Sequence, residues 1–190
     1  MRRLIVLCFV LIVFLAPASV FAASCDSAGD EYYIKFIFEG KEYVCSYGHP
    51  SSDVDVPYAA VTTPLLFNGP AEYIQFLGSS SDTMDENPDF FIEVGGTLYV
   101  MTAGNYTGEY QLPDYGYAFI DISEGEGVYY YFLSSGTVTI NSFGAIGEAV
   151  EGTFNATFVL PTAIGDTPQE VSGSFRVKRI APEDLPPMIN

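Results

Sequence analysis

The sequence predicts an all-β fold, an antiparallel β-sandwich or small closed barrel of about nine or ten strands. Composition is the first observation behind that expectation: 15 phenylalanines and 14 tyrosines stand with 18 glycines and 12 prolines, so strand formers are interleaved with turn formers. The second is the lack of any window in which apolar residues keep a helical period between caps, so little or no helix is expected beyond the N-terminal leader. The third is a short line written twice. VEGTFNATF at 150–158 and VSGSFRVKR at 171–179 share a valine, a glycine, a hydroxyl residue and a phenylalanine in register.

In chain order, Arg2 and Arg3 precede an unbroken apolar run from Leu4 to Ala16, then Pro17 and small residues. That pattern is an export signal, expected to span residues 1–22, with an alternative end at residue 24. The run is shorter than the roughly 20 apolar residues that span a bilayer. Residues 25–180 read as a single β domain, and 181–190 as a flexible tail.

Cys8 leaves with the leader, so the exported chain keeps Cys25 and Cys45. Two cysteines in an oxidising compartment usually pair, and a Cys25–Cys45 bridge closing a loop of about 20 residues would stabilise the fold by roughly 3 kcal/mol. The alternative is lipidation of Cys25. The AASC stretch at 22–25 resembles a bacterial lipobox, although alanine stands where that pattern usually has a large aliphatic residue. Membrane attachment is expected only through such an anchor.

Alternation places the strands. In EYYIKFIFEGKEYVCS, Tyr32, Ile34, Phe36 and Phe38 share a face, and Glu39-Gly40-Lys41 turns the chain into Tyr43–Cys45. Further strands are expected over 58–63 and 72–77, then FFIEV and TLYVMT joined by a two-residue turn at Gly95-Gly96. Strands at 115–122 and 128–133 follow across SEGEG, then 137–141. The doubled line supplies the last two, with Val150, Gly152, Phe154, Ala156, Phe158 and Leu160 inward on one and Val171, Gly173, Phe175 and Val177 inward on the other. They are expected to be antiparallel neighbours, each needing a glycine where another group comes close and a phenylalanine in the core. An eight-stranded outer-membrane barrel is disfavoured, because Glu151, Arg176 and Lys178 lie opposite core positions, where a lipid-facing band would be.

The net charge is −17, and removing the leader takes away two arginines and no acid. Such a field excludes nucleic acid and anionic lipid as partners and leaves glycans or envelope proteins. Asp82, Asp85, Glu86 and Asp89 crowd one loop with oxygen ligands that calcium could use, without EF-hand spacing, and solubility accounts for the acids equally well. No other cofactor is implied. A second acidic group, Asp121, Glu124 and Glu126 with Asp53 and Asp55, reads as ordinary turns. Tyr129, Tyr130 and Tyr131 are a candidate ligand face, because alternation sends Tyr130 to the side opposite the other two and leaves at least one ring in solvent or at an interface. Strand propensity explains the same tyrosines without a ligand. No catalytic residue is nominated: His49 is the only histidine and has no identifiable nucleophile beside it.

The stretch SGTVTINSFGAIGEAVEGTFNATF, with the partner line ending VSGSFRVKR, resembles the C-terminal part of uncharacterised small β-rich exported proteins and lipoproteins of bacterial envelopes. The shared positions are structural, so the resemblance implies an envelope location and no active site. The expectation is therefore an exported, non-enzymatic binding or structural module, periplasmic, secreted or anchored at the outer surface. The alternatives are a polysaccharide hydrolase using surface carboxylates and a calcium-stabilised adhesion module. Intact mass of the exported protein without reductant separates the two fates of Cys25: a bridged chain weighs two hydrogens less than the reduced one, whereas an anchored chain carries an added diacylglycerol.

Overall fold

A computed structural model of the protein describes residues 31–48, 53–62, 72–81, 90–124, 127–161 and 167–185. They form ten strands: β1 (Tyr33–Phe38), β2 (Lys41–Cys45), β3 (Tyr58–Thr62), β4 (Glu72–Ser79), β5 (Phe90–Val100), β6 (Gly108–Leu112), β7 (Gly116–Glu124), β8 (Gly127–Phe143), β9 (Ala149–Leu160) and β10 (Thr167–Ile180). A single 3-10 turn, Pro182–Asp184, follows. The expected leader, Cys25 and residues 186–190 lie outside the described residues.

Seven strands close into a barrel in the order β10-β3-β4-β5-β7-β8-β9 and back to β10, with β1, β2 and β6 added to it. Every pairing is antiparallel except β10 with β3, which is parallel over three residue pairs. β10 is flanked on one side by β9, and on its other side by β1 over residues 172–176 and then by β3 over 178–180. Even-numbered antiparallel barrels with polar interiors characterise bacterial outer membranes. This ring has an odd number of strands and an apolar interior built from residues such as Ile34, Phe36, Ile74, Ile120, Val150 and Phe158.

The alternation that placed the strands is visible as burial. Ile34, Phe36 and Phe38 are buried while Lys35 and Ile37 between them are exposed. Their hairpin turns at Glu39 and Gly40, both at positive φ, 51° and 76°, the conformation that a two-residue turn demands. Tyr58, Ala59 and Ala60 are all buried because β3 is covered on both faces. Ala59 joins the barrel core, while Tyr58 and Ala60 pack outside it with Ile180, Val54, Leu77 and Leu185.

The doubled line has a reciprocal explanation. In the β9–β10 ladder Gly152 stands opposite Phe175 and Phe154 opposite Gly173. A Cβ on Gly173 would lie 2.5 Å from Cζ of Phe154, and one on Gly152 would collide with the ring of Phe175 and with the Thr139 carbonyl. Each strand therefore offers a bare backbone to the other's ring. Phe175 is buried and stacks edge-on against Phe76 at 5.2 Å, and Phe154 is half-buried against the same core.

Three expected features differ. Gly95 and Gly96 are not a turn, because FFIEVGGTLYV is one strand and neither glycine has positive φ. Both sit mid-strand where neighbours come close: a Cβ on Gly95 would meet Cδ1 of Leu77 at 2.7 Å and Cζ of Phe119 at 2.9 Å. The strands expected at 128–133 and 137–141 are one strand, β8, with register shifts at Leu133/Ser135 and Ile140/Ser142. β6 was not anticipated: GEYQL alternates, with Tyr110 and Leu112 buried and Gln111 exposed, but over only five residues that end at Pro113.

Substitution of either facing glycine overpacks the closing ladder. Gly173→Ala is expected to cost about 1–3 kcal/mol, read as a lower denaturant midpoint, and its cost should be less than additive with that of Phe154→Ala in a double-mutant cycle.

Candidate functional site

β6, β7 and β8 form one long hairpin with a fault in it. β6 pairs with β8 up to Leu112↔Gly136, and β7 pairs with β8 only from Phe119↔Phe132 onward. Between these pairs one arm takes seven residue steps and the other takes four. The surplus chain bows away from β8. It stays attached to β5, through Gly116, Tyr117 and Ala118 opposite Leu98, Thr97 and Gly96, and through the Tyr115 carbonyl, which accepts a 2.8 Å bond from the Tyr99 amide. On the other arm, Leu133, Ser134 and Ser135 fall between the two ladders, at the first bulge of β8. The ladder that makes the barrel wall is interrupted there.

A hollow lies on each side of this breach in the ladder. Inside the barrel lies an apolar cavity of about 70 Å³, bounded by residues that include Phe76, Leu98, Val138 and Phe175. Outside lies an open groove of about 410 Å³. Tyr117, Ala118 and Leu133 line both.

The outer groove is aromatic and acidic. Register puts Phe119 beside Phe132, and it puts Glu93, Asp121 and Tyr130 in one row across β5, β7 and β8. Tyr117, Tyr130 and Phe132 are 52%, 51% and 51% exposed, unusual for large rings gathered on one patch of a folded chain. The two acids arise from similar lines, FIEV at 91–94 and FIDI at 119–122, paired antiparallel so that Ile92 faces Ile122 and Glu93 faces Asp121. Directly opposed residues hold their Cβ atoms roughly 5 Å apart on one sheet face. The carboxyls therefore stand side by side on one wall. They do not face each other across a gap.

That proximity is written in their proton affinities. Burial, with a further contribution from Asp121, pushes the Glu93 carboxyl up to about 7, and burial raises Asp121 as well. Tyr58, covered on the outer face of β3, is held well above the usual phenol range by burial and then by the charge of Glu93. None of the five lysines and arginines among the described residues lines the groove. Arg179, for instance, is spent elsewhere, lying over the Phe143 ring at 4.8 Å and donating to the Gly144 carbonyl at 2.8 Å.

Of the residues nominated from sequence, only Tyr130 and Asp121 line this groove. Tyr131 points the other way, half-buried with its ring 4.9 Å from Phe38. Tyr129 is exposed, opposite Ile122 on β7. Cys45 is 0% exposed in the core, while Cys25, its expected partner, lies outside the described residues. Asp82, Asp85, Glu86 and Asp89, and His49, also lie outside them. Among the described residues no three histidines, cysteines or acids gather closely enough to hold a metal ion. Glu93, Tyr117, Phe119 and Phe132 were missed. The available signal was the lone acid at the same place in FIEV and FIDI.

A carboxyl raised on folding binds its proton more tightly in the folded chain than in the unfolded one. Glu93 should therefore make stability fall as pH rises from about 4.5 to about 7, with the loss complete above that window. Glu93→Gln is expected to flatten this part of the melting temperature–pH curve relative to the parent protein and to raise the melting temperature at pH 8. Set beside known proteins, the chain matches no family model, no curated protein and no solved structure.

Proposed function

We propose that this protein is an exported cell-envelope binding module without catalytic chemistry, and that it holds its ligand in the aromatic groove outside β5, β7 and β8. The observation that carries this reading is the set of solvent-exposed rings, Tyr117, Tyr130 and Phe132, gathered beside the break in the β7–β8 ladder. Exposed aromatic surface is costly to leave in water, and recognition surfaces repeatedly use such rings as anchors. The leader and the acidic composition favour export, since both suit a soluble chain outside the cytoplasm.

The hydrolase alternative is disfavoured by the placement of the acids. Paired-carboxylate hydrolysis places the two groups on either side of the scissile bond. Glu93 and Asp121 occupy neighbouring strands of one wall, which suits attraction of a positively charged or hydrogen-bonding group.

The combined substitution Tyr117→Ala, Tyr130→Ala and Phe132→Ala tests the reading. The rings are half or more exposed, so the variant should melt within a few degrees of the parent, yet its retention on the isolated envelope fraction should fall at least about tenfold. Undiminished retention by a folded variant would place the binding surface elsewhere.

A further inference from the structure

We infer that the groove and the cavity behind it form one bipartite site for a small organic cation bearing a short alkyl arm: the cationic head lies among the outer rings beside Asp121 and Glu93, and the arm passes through the breach into the barrel. The inference rests on the binding reading above and names its ligand chemistry.

The two compartments differ in chemistry and size. The outer groove, at about 410 Å³, lies within the range of small-molecule sites. It offers the faces of Tyr117, Phe119, Tyr130 and Phe132 together with two carboxyls and no basic side chain. Aromatic rings attract a cation through their quadrupoles, and they do so best when the cation is large and weakly hydrated, as an alkylammonium is. The carboxyls add charge complementarity, which excludes anions and leaves neutral sugars with no use for the paired charges. The inner cavity is lined by apolar side chains and measures about 70 Å³. That is less than half the roughly 150 Å³ that accommodates benzene in a dry engineered cavity, so the space suits a short alkyl group and not a long acyl chain.

The route between them is the interruption in the hydrogen-bonded wall. Tyr117, Ala118 and Leu133 border both hollows because β7 leaves β8 at Phe119 and β8 is bulged after Leu133. Ala118 has the smallest side chain of the three. A ligand crossing there meets no ladder hydrogen bond between β7 and β8, since the paired residues stop on either side.

The test is calorimetric titration of the full exported protein at about pH 8, with tyrosine ring resonances followed by NMR. The probes are butyltrimethylammonium, tetramethylammonium, 1-hexanol and hexanoate. Butyltrimethylammonium should bind, shift the rings of Tyr117 and Tyr130, and bind at least about tenfold more tightly than tetramethylammonium, because the butyl arm gains apolar burial. Hexanoate should not bind, and Asp121→Asn should weaken the cation about fivefold or more while preserving shape. Equal affinity for hexanol would overturn the inference by showing an apolar pocket alone, and equal affinity for tetramethylammonium would overturn it by leaving the inner cavity unused. If no probe binds although the ring substitutions still abolish envelope retention, the ligand class is wrong and the binding surface stands. If retention survives those substitutions, the surface itself is wrong.

Discussion

The contact on which the molecule most depends is the exchange of ring for backbone between β9 and β10. Phe175 needs the bare face of Gly152, and Phe154 needs that of Gly173. Neither glycine can carry even a methyl group without moving a ring or a neighbouring carbonyl. β10 is also the strand that pairs with β1, β3 and β9, so its seat on β9 fixes where the first and third strands attach. The rest of the barrel inherits that position. Removing water from Phe175, Val171 and Val177 on this strand adds apolar burial where β10 meets three neighbours.

Against that well-packed side, the β7–β8 side is loosely closed. The same hairpin that lends β8 its length also carries mismatched arms, and the mismatch is absorbed by lifting residues 113–118 from β8 while 115–118 stay bonded to β5. Bulges tend to mark places where a sheet re-aims its side chains for a purpose. Here the bulge follows Leu133 on β8, while Tyr117 keeps the outward face that it shares with Phe119 and Asp121 on β7, so the apolar interior lies next to an acidic, aromatic exterior.

Where the side-chain period stays constant, the sequence was sufficient to find strands. β1, β2, β9 and β10 follow from alternation, and so does the pairing of the last two. Failure came at two kinds of place. Gly95-Gly96 imitates a turn, yet the inward sequence Ile92, Val94, Gly96, Leu98 runs through it without changing phase, and Gly95 answers to the Leu77 and Phe119 side chains while Gly96 answers to the Tyr117 carbonyl and Ala118. In β8 the reverse holds: Tyr131 and Leu133 face inward before the bulge, Val138 and Ile140 after it, so a continuous strand reads as two. The candidate site was less legible still. Tyr130 was visible because three consecutive tyrosines cannot share a face, but the residues around it come from β5 and β7, and only register brings them together. Register is a property of pairs of strands, and a single strand's pattern does not state it.

The lone parallel pairing of β3 with β10 has an arithmetic cause. In a ring where every neighbour reverses direction, the count must be even; seven strands leave one mismatch that cannot be removed, only located. This chain locates it at its shortest ladder, Lys178↔Tyr58 to Ile180↔Ala60, between segments more than a hundred residues apart. Tyr58, Ala60, Ile180 and Leu185 then form a patch over that seam on the outside, so the frustrated joint carries an apolar cluster of its own, apart from the main core.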